Sequence, residues 1–331
     1  MSGRRGFQWW SGTLCLFAAS ALAAEENAND RWNTLHDQMN TLRHQHQLAG
    51  ALESGKRALA VAQGFDQTDP RRAITYLALG SIYHDWGRCA ESRENYLHSL
   101  AIWEKQSNPN PAYVFSTVSL LVGNATACGD TNAAEKLFRA HYHELQRFRS
   151  GPLDNANVLL LQAGISRGRK RYAQAEDLQR QALRLMEQTP GAEPVDIARV
   201  RNNLAVIVGL QGRHEASLAE AQRVIALLES IDARHPSLVA ALNTAADALF
   251  ALGRKEESAQ VYQRSLDLAR ETFGKDNRVT AATMMSYAVV LRAVKRAPEA
   301  EAMNREGSDA YRRSSLRNNQ TVDVQELGAN H

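Results

Sequence analysis

The chain is 331 residues long, 44% hydrophobic, 23% charged and 7% aromatic, a composition that excludes a disordered or integral membrane protein. Its formal charge is +3 from 39 basic and 36 acidic residues, too balanced for a protein that coats nucleic acid. Three cysteines exclude a disulfide-dense miniature and a multi-cysteine zinc domain.

Residues 1–24 read as an export signal. Arg4 and Arg5 precede an apolar run from Trp9 to Ser20, and Ala21-Leu22-Ala23 supplies a small-x-small cleavage pattern before Glu25-Glu26. The run is shorter than the roughly 20 residues that span a bilayer, so cleavage is favoured over an uncleaved inner-membrane anchor. Arg4-Arg5-Gly6-Phe7 resembles a twin-arginine signal, from which Gln8 and Trp9 depart, so the general and twin-arginine export routes stay open. Cleavage would remove two arginines and no acid, leaving 37 basic against 36 acidic residues and a net charge of +1. The expected location is periplasmic or secreted.

From residue 30 to residue 313 the chain repeats itself. A small residue recurs at Gly80, Val122, Ala163, Ala205, Ala246 and Ala288, in steps of 42, 41, 42, 41 and 42. Twelve residues after each comes a second small residue: Ser92, Ala134, Ala175, Ser217, Ser258 and Ala300. Short turns lie between them, such as Gly87-Arg88, Gly129-Asp130, Lys170-Arg171, Gly212-Arg213, Gly253-Arg254 and Lys295-Arg296. Antiparallel helices approach closely only where small side chains meet, so each unit is predicted to be helix, tight turn, helix. Larger apolar residues, including Tyr83, Tyr96, Leu204, Tyr262 and Leu266, fill the spaces between helices. Seven of the eight prolines fall between these helical patterns, and Pro298 can open a helix. The units are predicted near 31–66, 70–107, 111–149, 153–189, 194–231, 236–273 and 278–313, the first of them a weaker copy. Periodicity stops at about Ser314, and residues 314–331 read as a disordered tail.

The residues Leu79-Gly80, Tyr83, Gly87 and Tyr96, with Leu204-Ala205, Val208 and Gly212, resemble the tetratricopeptide repeats. The long period, and the stretch from His235-Pro236 to Asp276-Asn277, are similar to the 42-residue subclass found in kinesin light chains and many bacterial proteins. Gln179, Ala221 and Asn304 depart from the aromatic usual in the second helix, which implies looser packing there, above all in the last unit. The resemblance implies an all-α, right-handed α-solenoid of about seven antiparallel helix pairs, whose first helices line a concave groove for peptides or proteins.

In that register Arg199, Asn202, Asn203, Asn243, Thr244, Asp247, Ser286 and Arg292 fall on the groove face. Asparagine offers both a donor and an acceptor, so a row of them can clamp an extended peptide backbone. The alternative is a set of solvated or locally bonded helix polars. The earlier first helices carry Ala78, Ser81, Leu120, Gly123, Leu160, Leu161 and Gly164, an apolar section that could hold a ligand's hydrophobic side chain or the chain's own capping helix, tight self-packing being favoured. Cys89 starts one second helix and Cys128 ends the next first helix, so an exported chain could bond them, the alternative being two buried thiols. His44-x-His46 and His141-x-His143 put their rings on different helix faces, so no metal site is expected. No Ser/His/Asp set, phosphate loop or paired-acid constellation stands out, and no cofactor is implied. The expectation is a non-catalytic scaffold for a protein or peptide partner, without nucleic acid. It would touch membrane only through an uncleaved signal. A self-associating envelope component is the alternative, and an enzyme with a cryptic site the remaining one.

Overall fold

The computed structural model describes residues 10–45 and 47–317, and side chains from residue 26 to residue 313 except His46. The predicted signal therefore lies outside the described residues over 1–9, and 318–331 of the predicted tail does likewise.

Among the described residues the fold is all-α, with fifteen helices in succession: α1 (Trp10–His44), α2 (Leu48–Ala62), α3 (Pro70–Asp85), α4 (Cys89–Glu104), α5 (Pro111–Ala127), α6 (Thr131–Ala140), α7 (Tyr142–Arg147), α8 (Pro152–Gly168), α9 (Tyr172–Glu187), α10 (Pro194–Leu210), α11 (His214–Ile231), α12 (Leu238–Ala251), α13 (Lys255–Phe273), α14 (Arg278–Ala293) and α15 (Ala297–Arg317). Consecutive helices pack as pairs: α1 with α2, α3 with α4, α8 with α9, α10 with α11, α12 with α13 and α14 with α15. The chain divides into two compact units, residues 1–117 and 118–331.

Local chemistry explains each pair. Pro70, Pro111, Pro152 and Pro194 are the first residues of α3, α5, α8 and α10, where a missing N–H costs nothing. The turn within a pair needs one left-handed residue, and it falls at the same slot six times: Gly87, Gly129, Lys170, Gly212, Gly253 and Lys295, with φ between 58° and 80°. The next residue's N–H closes back five residues, as in Arg88 to Tyr83, Arg171 to Ser166 and Arg296 to Leu291. This is the Schellman termination, and it satisfies carbonyls that the helix end would leave bare. The small residues then meet across each pair. Ser217 Oγ donates to the Ala205 carbonyl at 2.8 Å, and Ser258 Oγ to that of Ala246 at 2.7 Å.

In the unit formed by residues 1–117, Met39, Ala51, Leu52, Leu79, Ile82 and Tyr83 form one core cluster, and Trp32, Leu35, Ala58 and Ala62 another. The Trp32 indole donates to Thr75 Oγ1 at 2.9 Å, and Arg71 reaches Asn29 Oδ1 at 2.9 Å, fastening α1 to α3. In residues 118–331 the clusters follow one another along the chain. One is built on Leu183, Val200 and Leu204, another on Leu228, Leu238 and Leu242, and a third on Tyr262, Leu266 and Tyr287. Residues that cannot bury an apolar face within one pair bury it against the next.

Three expectations change. The pair over 111–149 has its second helix broken at His141, whose φ of −108° and ψ of 18° separate α6 from α7. Nothing in the surrounding contacts explains the break. Helix α15 continues through Arg317, so residues 314–317 belong to it rather than to a disordered tail. Gln179 and Ala221 are fully packed, because Gln179 Nε2 donates to the Val200 carbonyl at 2.8 Å and Ala221 has no exposed surface.

Candidate functional site: the first-helix face of residues 118–331

The repeat register puts one stripe of each first helix on a common face. In α8 it holds Asn157, Leu160, Leu161, Gly164 and Arg167, and in α10 Arg199, Asn202, Asn203, Val206 and Gly209, with Leu210 next to it. In α12 it holds Ala240, Asn243, Thr244, Asp247 and Phe250, and in α14 Ala282, Met285, Ser286, Val289 and Arg292. Helix α10 packs beside α12, and Asn243 joins α12 to α14 by donating from Nδ2 to Thr283 Oγ1 at 2.9 Å.

The eight polar residues picked out by register do different things. Asn243 accepts from Ser265 Oγ at 2.7 Å as well, so donor and acceptor of its amide are both engaged in holding α12, α13 and α14 together. Thr244 is buried and bonds the Ala240 carbonyl at 3.0 Å. Arg199 pairs with Asp196 on its own helix at 3.1 Å, both side chains remaining more than half exposed. Asn202 is different, since its Oδ1 is buried and accepts no hydrogen bond. The side chains of Asn203 and of the exposed Arg292 form no hydrogen bond or ion pair among the described residues.

Asp247 and Ser286 converge on a residue that sequence reasoning treated only as packing. Tyr262, in α13, is 1% exposed, and its hydroxyl donates to Asp247 Oδ1, with Ser286 beside it lowering the phenol slightly. Burial first, and then the Asp247 carboxylate, holds the Tyr262 phenol far above its ordinary range. Burial also raises the Asp247 carboxyl, against the opposing hydrogen bond from Tyr262. Yet Asp247 presents surface to solvent. Open to water but crowded by protein, it occupies a recessed rather than a protruding position. The signal for Tyr262 was there in register: it stands four residues after the small Ser258, as Tyr96 does after Ser92.

Aliphatic side chains share this face. Leu210 is 50% exposed and Val289 52%, and Met285 and Val279 are exposed as well. Leu120 is exposed, while Leu160, Leu161 and Val206 are half-buried. At Gly164 helices α5 and α8 come so close that an added Cβ would lie 2.7 Å from Thr126 Cγ2, the self-packing expected of that section.

Among the described residues no cluster of His, Cys, Asp or Glu could hold a metal ion, and no helix is long and apolar enough to cross a membrane. Cys89 and Cys128 are both disulfide-bonded cysteines. Nothing is described of the Cys15 side chain.

A face of paired helices, with fixed packing behind it and variable polar and aliphatic residues in front, defines a helical repeat protein of the interaction-scaffold type. The sequence matches the tetratricopeptide repeat family over residues 33–105, 154–230 and 237–313, and the chain belongs to that family. The unmatched stretch includes the broken α6–α7 pair. No curated protein matches the sequence. Among solved structures, a Rap protein complexed with competence and sporulation factor is 13% identical, with a TM-score of 0.69 over 91% of this chain and 81% of that one. The Rap conjugation gene regulator of plasmid pLS20, in complex with the Phr* peptide, is 9% identical, with a TM-score of 0.69 over 91% and 79%. BtubC (BKLC) from P. vanneervenii is 17% identical, with a TM-score of 0.50 over 72% and 92%. At these identities the likeness is one of fold.

Proposed function

We propose that the chain is an exported, non-catalytic scaffold that holds a protein or peptide partner on the first-helix face of residues 118–331. One observation carries this reading: the unengaged side chains of Asn203 and Arg292 share a face with the exposed Leu210, Met285 and Val289. Two proteins of the same fold, the Rap structures, hold a peptide or factor of their own.

Export agrees with the position of the packed part of α1. Its fastening contacts come from Asn29 and Trp32, beyond the proposed cleavage site, so a mature chain starting at residue 25 keeps them. The reading includes a Cys89–Cys128 bond, which an oxidising compartment would preserve. Thiol titration of the denatured mature protein should find no free thiol before reduction and two after it.

The groove is tested by photo-crosslinking in intact cells from position 289 or 210, with position 223 on α11 as control. Capture from 289 and 210 but not from 223 is expected, and Asn203→Ala should weaken it without lowering stability. Equal capture from all three positions, or none from 289 and 210, rejects the reading. The exposed Val279, Met285 and Val289 of α14 favour a second reading, self-association, for which light scattering would show a dimer or larger assembly at micromolar concentration.

A further inference from the structure

Asp247 is the one acidic residue of its register row. The corresponding positions are Gly164 in α8, Val206 in α10 and Val289 in α14. Its carboxylate has one described partner, the neutral Tyr262 hydroxyl on Oδ1. No basic side chain reaches it: Arg199 is paired with Asp196, and Arg292, nearly one turn beyond Val289 on α14, makes no ion pair with it. A crowded carboxylate stabilised by a single neutral donor has unmet electrostatic demand, which a cation from outside the chain would satisfy. The surroundings limit what form that cation takes. Val206 and Val289 hold the same slot in the helices on either side, and aliphatic walls beside a carboxylate suit the methylene stem and charged head of lysine or arginine.

We infer that the partner is an extended peptide segment bearing a lysine or arginine, whose side chain lies between Val206 and Val289 with its head on Asp247. The inference rests on the proposed groove and adds the chemistry of what enters it. Tyr262 acts as a positioning residue, its hydroxyl fixing Asp247 Oδ1 so that the second carboxylate oxygen meets the ligand.

The test uses the purified full chain and fluorescein-labelled octapeptide pools. One central position is fixed as Lys, Arg, norleucine or Glu, the others are degenerate, and binding is read by anisotropy. Lys and Arg pools should bind about tenfold more tightly than norleucine pools, with Glu pools weakest. In Asp247→Asn, which can still accept from Tyr262, that preference should fall to about twofold or less. Asp247→Lys should favour the Glu pools, and if that variant misfolds, Asp247→Asn decides alone. Equal binding of norleucine and basic pools overturns the inference while leaving the groove standing, and so does a basic preference that survives Asp247→Asn. If no pool binds, the groove reading falls and takes this inference with it.

Discussion

Tyr96 in residues 1–117 and Tyr262 in residues 118–331 occupy the same place in the repeat, four residues after a small serine. Tyr96 lies over Gly80, and its hydroxyl meets Ser81 Oγ at 3.3 Å; Tyr262 stands in register with Ala246, and its hydroxyl meets the Asp247 carboxylate. The packing partner is conserved in kind, glycine or alanine, while the next residue changes from a buried serine to an exposed acid. One slot packs the helix pair together, and its neighbour faces the surface.

The largest expected effect separates the two packing slots. A Cβ at Gly80 would lie 2.6 Å from the Tyr96 ring and 3.2 Å from the Ser92 carbonyl, so Gly80→Ala should cost about 2 kcal/mol. Ala246→Gly should cost about 1 kcal/mol, through helix propensity and lost packing. All five tryptophans lie within residues 1–117, so a tryptophan-fluorescence melt should register the first change and miss most of the second, which circular dichroism would show. Equal costs would mean that the two slots are packed alike.

The hydroxyls come next. Tyr262→Phe removes a hydrogen bond to a carboxylate and should cost about 1.5 kcal/mol in urea denaturation, against about 0.5 kcal/mol for the long Tyr96–Ser81 bond in Tyr96→Phe. A reversed order would mean that Asp247 does not depend on Tyr262. Smaller, and of opposite sign, is the effect of relieving the turns. Lys170 and Lys295 hold φ of 58° and 62° where the other turns use glycine, so Lys170→Gly or Lys295→Gly should stabilise by about 0.5–1 kcal/mol.

His36 in residues 1–117 and Asp247 in residues 118–331 should contribute to the pH dependence in opposite directions, the smallest effect of all. Burial lowers the His36 imidazole below 6.5, against the raising influence of Asp37, while its ring stacks on Trp32 at 4.8 Å. The unfolded chain then binds more protons, so stability present above pH 6.5 is lost as pH falls through the folded value. Asp247 is raised above 3.8, so its contribution is full below that pH and lost as pH rises through its folded value. Melts from pH 4 to 8 should flatten at the acidic side of 6.5 in His36→Gln, by fluorescence, and at the basic side of 3.8 in Asp247→Asn, by circular dichroism. The same sign in both variants would sink the assignment.

Much of this was legible in the sequence, because close packing of helices tolerates few residue types. The period, the paired small residues and the turn slot could all be read, down to the two lysines standing where glycine is usual. The groove face was legible as a face but not as a set of roles. Asn243 and Asn203 read alike in one dimension, and only the positions of Ser265 and Thr283 reveal that the first is engaged structurally while the second is unengaged. Tyr262 read as filler because its hydroxyl's partner stands fifteen residues away on another helix. The break at His141 had no proline or glycine to announce it.

The sequence by itself determined the fold class, since small residues recurring every 41 or 42 positions demand stacked helix pairs and glycines with positive φ demand their turns. It also determined which residues share a face, because helical register is a local property. Tertiary structure alone decided which of those residues are occupied and which are unengaged, since a hydrogen-bond partner on a neighbouring helix is set by packing distance and not by order along the chain.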